Sequence, residues 1–146
     1  MPKVNSYLIF NGTAEEAFNF YKSVFGGEFS SVQRYKDMNG APWMDKITAE
    51  EKEKIIHMSL PMNKGDVLMG SDSIKTLNPD ETKGNNYYVC LEPDSKGEAD
   101  TLFNKLSAGG KVTMPIGDAP WNAYFGMFTD KYGAIWMISY DYNKHK

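Results

Sequence analysis

The stretch Phe20-Tyr21-Lys22-Ser23-Val24-Phe25-Gly26-Gly27 decides the fold, because it returns later as Phe103-Asn104-Lys105-Leu106-Ser107-Ala108-Gly109-Gly110. Each copy reads as the last turns of a helix halted by a glycine pair, since glycine takes the left-handed conformation that ends a helix at little cost. A second echo closes each copy: Gly65-Asp66-Val67-Leu68-Met69 against Gly133-Ala134-Ile135-Trp136-Met137. The chain is therefore a duplicated unit, and the surface between two copies is a natural place for a ligand. Gly26 and Gly109 lie 83 positions apart, Gly65 and Gly133 only 68, so the first copy carries about 15 extra residues. The polar excursion from Asp37 to Lys54 holds them, and insertions beyond a repeat unit often shape its binding face.

Outward from the first glycine pair, Ala14, Ala17, Phe18, Tyr21, Val24 and Phe25 fall at spacings of three and four, which predicts one apolar helix face. Thr13 is the expected N-cap, with Glu16 completing a capping box. Before it, Val4 to Phe10 alternates and predicts a strand; after it come extended runs at Phe29 to Tyr35, Ile55 to Met62 and Asp66 to Gly70. A short helix is expected from Thr48. The order then repeats: a strand from Asn86 to Glu92, a helix from Asp94 or Ser95 to Ser107, and extended runs at Lys111 to Pro115, Ala123 to Thr129 and Ile135 to Tyr140. The reading is α+β: two βαβββ modules, residues 1–72 and 86–142, joined by a polar linker at 73–85 within one domain. The tail from Asn143 is expected to fray.

A formal charge of −3, with basic residues scattered among acidic ones, gives no electrostatic reason for nucleic acid as a partner. Aromatic residues make up 14% of the chain, more than core packing requires, which points to an aromatic-lined pocket or interface. The single cysteine, Cys90, excludes an intramolecular disulfide and is expected as a small buried residue within Tyr87-Tyr88-Val89-Cys90-Leu91. Met1-Pro2-Lys3-Val4 runs straight into a strand, and no apolar stretch approaches the roughly 20 residues that span a bilayer. No signal peptide and no membrane partner are expected, and the expected location is the cytoplasm.

Several motifs together resemble the vicinal oxygen chelate superfamily of glyoxalase I, extradiol dioxygenases and fosfomycin and bleomycin resistance proteins. They are Tyr7-Leu8-Ile9-Phe10-Asn11-Gly12, Ala14-Glu15-Glu16-Ala17, Phe25-Gly26-Gly27-Glu28, His57-Met58-Ser59-Leu60, Leu68-Met69-Gly70-Ser71-Asp72, Trp121 with Phe125-Gly126, and Asp130-Lys131-Tyr132-Gly133-Ala134-Ile135-Trp136-Met137-Ile138. The resemblance is closest to the PhnB-like branch, often labelled a 3-demethylubiquinone-9 3-methyltransferase domain, and covers essentially the whole chain. It implies an incomplete eight-stranded sheet curved around a cup, with helices on the convex side, in a homodimer. The methyltransferase label finds no support: no glycine-rich nucleotide loop follows a first strand.

Chelating members of this superfamily place His, Glu or Gln ligands on the first and last strands of each copy, where a divalent metal polarises two neighbouring substrate oxygens. Counting from the turn glycines puts Met69 and Met137 at the closing-strand positions, and Asn5 or Ser6 and Tyr88 or Val89 at the opening ones. Thioethers do not replace carboxylates and imidazoles for a hard ion. The expectation is therefore a metal-independent binding protein without a cofactor, its catalytic residues, if any, unassigned. Its cup is lined by Phe10, Met69, Trp121, Phe125 and Met137 and oriented by Asn5, Ser6, His57, Ser71 and Asp72, with Trp43 of the inserted loop either closing over a small apolar or aromatic molecule or anchoring that loop to the partner subunit. Tyr124 and Gly126 should point one way along their strand, and Phe125 and Met127 the other. Two rivals remain: a metal-dependent lyase, isomerase or dioxygenase with unusual ligands such as His57 and Asp72, and a scaffold without a ligand.

Overall fold

The computed structural model describes residues 2–145. The chain divides into two compact units, Met1–Lys83 and Gly84–Lys146. In the first, β1 (Ser6–Phe10), α1 (Ala14–Phe25), β2 (Ser31–Arg34), a one-turn helix α2 (Ala49–Lys52), β3 (Ile55–Pro61) and β4 (Val67–Asp72) build a four-stranded sheet in the order β1-β4-β3-β2. In the second, β5 (Val89–Leu91), α3 (Lys96–Ser107), β6 (Lys111–Ala119), β7 (Ala123–Thr129) and β8 (Ile135–Asp141) repeat that topology as β5-β8-β7-β6. The first and last strands of each sheet pair in parallel and the rest antiparallel. The α+β duplication expected from the glycine pairs is the observed fold.

Alternation in each sheet decides what faces the helix. Leu8 and Phe10 of β1, Leu68 of β4, and Met58 and Leu60 of β3 are all buried, and the α1 residues Ala14, Ala17, Phe18 and Tyr21 are fully buried. Phe10 meets Phe18 edge-on at 6.2 Å, and Phe18 meets Tyr21 at 5.6 Å. In the second unit Phe128, Trp136 and Ile138 are completely covered, with Ala99, Phe103 and Leu106 of α3 buried as well. Burying each such side chain contributes about 1.5–3 kcal/mol relative to exposure.

Each sheet makes room for a helix aromatic with a glycine. A Cβ on Gly70 would lie 2.7 Å from the Phe18 ring and 2.7 Å from the Leu8 carbonyl, and one on Gly126 would lie 2.7 Å from the Phe103 ring. Gly26 ends α1 at φ 80°, its N–H donating to the Lys22 carbonyl.

Several local readings are corrected. Thr13 makes no side-chain cap to α1. Thr48 does cap α2, accepting from the Glu51 amide while the Glu51 carboxylate accepts from the Thr48 amide. Strand β5 covers only Val89–Leu91, and β6 runs on to Ala119. Cys90 is exposed, because it sits on the face of β5 opposite the half-buried Val89 and Leu91. The expected linker starts inside the first unit: Ser73 donates to the Phe10 carbonyl, and Ile74 is 3% exposed. Of the tail expected to fray, Tyr142–His145 forms a 3-10 turn tied by Tyr142 N–H to Asn122 and by Lys144 to Glu92, and Lys146 lies outside the described residues.

Two outcomes follow. Gly70→Ala and Gly126→Ala should each lose about 1–3 kcal/mol by overpacking, read from urea midpoints, because a rigid ring and sheet backbone cannot both retreat. The Tyr124 phenol donates to Asp100 of α3 at 2.6 Å, and this bond, aided by burial, pushes its pKa up to about 12. A pKa raised in the fold adds stability that is complete below the unfolded value of about 10 and is lost as pH rises through the folded one. Absorbance titration should show Tyr124 among the late tyrosines, beside Tyr35, raised by burial, and Tyr142, raised by its bond to Asp118, and Asp100→Asn should bring Tyr124 back toward the main group.

Candidate functional site

The face of each sheet turned away from its helix carries the side chains that the helix does not claim, although Ser59, Ser71 and Phe125 there are themselves buried. In the first unit the register sets Tyr7 beside Met69, Met69 beside Ser59, Ile9 beside Ser71, and His57 beside Gln33. Tyr7 and Ile9 are 44% and 47% exposed. The Tyr7 hydroxyl and His57 Nδ1 share a hydrogen bond at 3.3 Å, and the two rings stack at 5.8 Å. His57 and Met69 thus lie on one face of the first unit's sheet.

Ser6, Phe10 and Asp72 do not. Ser6 pairs with the buried Leu68, so it has the helix-side parity of β1. Phe10 is 2% exposed against Phe18 and Tyr21 and lines no cup. Asp72 is equally buried: its carboxylate accepts from the amides of Ala14 at 2.8 Å and Ile55 at 3.0 Å, and its carbonyl accepts from the Tyr35 hydroxyl at 2.7 Å. It supplies the cap that Thr13 does not, at a helix N-terminus that favours negative charge. Burial pushes its carboxyl above the ordinary value, opposed by the amides of Ile55, Ala14 and Gly12 and by the charge of Lys54.

Asp72 also floors a cleft of about 430 Å³ walled by Glu15, Glu16, Arg34, Glu53 and Lys54. Its cations are already engaged. Arg34 grips both oxygens of Glu15 at 3.2 and 2.6 Å, holding that carboxyl below its usual range, and Lys54 donates to the Gly12 carbonyl. Trp43 belongs to a small satellite core, edge-on to Tyr35 at 5.6 Å and grouped with Ile47 and Ile74, so the inserted loop is anchored on its own unit.

In the second unit Phe125, Met127 and Met137 share the face away from α3, while Tyr124 and Gly126 turn toward it, as alternation predicts. Trp121, 56% exposed in the β6–β7 turn, meets the Phe125 ring edge-on at 5.2 Å. Its turn is held by Asn122 at φ 62°, a conformation asparagine tolerates better than most residues. Gly117 stands directly opposite Phe125 on β6, and a Cβ built there meets nothing within 4 Å. The result is an open notch beside an aromatic pair and a thioether.

The superfamily's divalent ion can be tested against these positions. The parallel pairs put Tyr7 beside Met69 and Cys90 beside Met137, rather than Ser6 or Val89. The donors are a phenol, a thiol and two thioethers, with no carboxylate or imidazole among the four. Among the described residues no three His, Cys, Asp or Glu side chains group as an ion holder. These residues do not fit a hard divalent cation. Tyr7 and Cys90 were within reach of sequence reading: strand parity counted from the buried Leu8 and the half-buried Leu91 picks them out.

The duplicated topology and its helix-free faces define a glyoxalase-type domain, and comparison with known proteins agrees. The chain belongs to the Glyoxalase/Bleomycin resistance protein/Dioxygenase superfamily, whose profile matches residues 3–138. It is similar to protein PA1353 of Pseudomonas aeruginosa, with 37% identity, TM-score 0.80, and 97% of this chain and 98% of that one covered. It is also similar to a PhnB protein of Bacillus cereus provisionally described as a 3-demethylubiquinone-9 3-methyltransferase, with 34% identity, TM-score 0.73 and coverage of 95% and 99%. Protein YjdN of Escherichia coli is 25% identical over 144 residues, 93% of each chain. Membership supports a small-molecule-binding protein of the glyoxalase/bleomycin resistance type. No helix among the described residues is long and apolar enough to cross a membrane.

Asp72→Ala leaves two buried amides without an acceptor and should cost about 2–5 kcal/mol by urea unfolding. Asp72→Asn keeps one acceptor oxygen and should lose roughly half as much. A loss below about 1 kcal/mol for the alanine variant would show that Asp72 does not clamp the unit.

Proposed function

We propose that this protein binds a flat, largely apolar aromatic molecule without help from a hard divalent cation, and that the helix-free face of the second unit supplies the main contact. The carrying observation is the notch at Gly117, flanked by Phe125 with Trp121 edge-on to it and by Met127. Polarizable thioethers and an exposed indole suit a ring that slides in edge-first or stacks. The working form in this reading is a cytoplasmic homodimer, supported by the exposure of Val4, Tyr87 and Tyr88; light scattering at micromolar concentration would show twice the chain mass.

Titration with 2-naphthol, followed by tryptophan fluorescence, tests the binding reading. Wild type should show saturable quenching that is unchanged after dialysis against a chelator. Phe125→Ala should weaken binding about 10- to 100-fold, the equivalent of losing one buried aromatic contact of ~1.5–3 kcal/mol. Gly117→Val, which has free space for its side chain, should keep the fold and block the probe. Absence of saturable quenching, or its loss on chelation, overturns the proposal, and the second result would favour a metal-dependent lyase, isomerase or dioxygenase.

A further inference from the structure

The misfit of the second unit to a hard ion is also a fit to a soft one. The register sets Cys90 of β5 against Met137 of β8, Met137 against Met127 of β7, and Met127 against Met114 of β6. Strands β5, β8 and β7 thus contribute one sulfur each to a single row, and Met114 sits beside it between two register shifts of β6. Cys90, Met137 and Met127 lie on the helix-free face, because their chain neighbours Leu91, Trp136, Ile138, Gly126 and Phe128 take the other parity. Cys90 is exposed and Met114 is 38% exposed, while Met127 and Met137 are half-buried. Side chains directly opposed across a sheet have Cβ atoms about 4.5–5.5 Å apart, within the reach of a thioether with three rotatable bonds.

Thiolate and thioether donors select Cu(I)-type ions over magnesium, calcium or manganese. We propose that Cys90, Met137 and Met127 form a binding site for one soft monovalent metal ion, of the Cu(I) or Ag(I) class, with Met114 at its edge. Binding breaks the Cys90 Sγ–H bond, forms an Sγ–metal bond, and releases the proton to solvent with no change of oxidation state. Because the thiol must lose its proton to bind, the ion competes with a proton, and affinity falls as pH is lowered. The site does not depend on the aromatic-ligand reading and stands or falls separately from it.

The full chain, kept anaerobic, is titrated with Cu(I) against bathocuproine disulfonate, with Ag(I) as a redox-inert check. Wild type should withhold one Cu(I) per chain from the chelator, with thiolate-to-metal absorbance in the near ultraviolet. Met137→Leu and Met127→Leu preserve volume and should keep the fold by circular dichroism. Each should weaken binding at least about tenfold, the scale on which even outer partners of a metal site matter. Cys90→Ser should abolish binding, and Met38→Leu, in the inserted loop, should change nothing. The site is refuted if the chelator strips wild type completely. It is equally refuted if both methionine variants bind as wild type, for then the metal is a bare thiol adduct.

Discussion

One constraint governs the molecule: a β-strand presents alternate residues to opposite faces, and a single helix covers only one face of each sheet. Once α1 claims Leu8, Phe10, Leu60 and Leu68, the positions between them are released. The chemistry available for binding is then whatever the sequence placed at the released parity. Here that is Tyr7, His57 and Met69 in one unit and Cys90, Phe125, Met127 and Met137 in the other. A shift of one residue in β1 would exchange Tyr7 for Leu8 and remove the hydroxyl that meets His57.

Long-range polar contacts hold that parity in place. Asp72 ties the start of α1 and the start of β3 to the end of β4 through two amides, and its carbonyl anchors Tyr35, on which the inserted loop packs. Asp130 plays the matching role in the second unit. Its carboxylate accepts from the amides of Tyr132 and Ala134 and from the indole N–H of Trp136 at 2.8 Å, closing the turn into β8. Both carboxylates are almost completely buried, and every buried side-chain polar atom among the described residues has a partner. Buried charge arranged this way fixes geometry, since each unmade bond would carry a desolvation cost.

Local signals in the sequence were sufficient for the elements. Glycine pairs, the three-and-four spacing of α1 and the short helix after Thr48 all depend on a few neighbouring residues, and each is seen where it was expected. Contacts across the sheet were not legible. Thr13 looked like the cap of α1 because Glu16 follows it, yet the acceptor comes from Asp72, 58 residues away. Phe10 looked like a pocket residue because it is aromatic on an opening strand, and only its pairing with Asp72 fixes its parity. The sulfur row is the extreme case: Cys90, Met137 and Met127 come from three separate strands, and nothing short of the register aligns them.

The motifs that carry the family likeness prove to be those that keep the fold. Within Leu68-Met69-Gly70-Ser71-Asp72, Gly70 admits the Phe18 ring and Asp72 caps α1. In the run from Asp130 to Ile138, Asp130 and Trp136 clasp each other, and Ile138 is core. These positions are constrained whatever the ligand is, so a match to them establishes architecture and leaves chemistry open. The residues between them, Met69 and Met137, carry no such structural duty. A free position on a rigid strand is where a family can change its donor from carboxylate to thioether without disturbing the fold, and with that change the class of ion or molecule the face will hold.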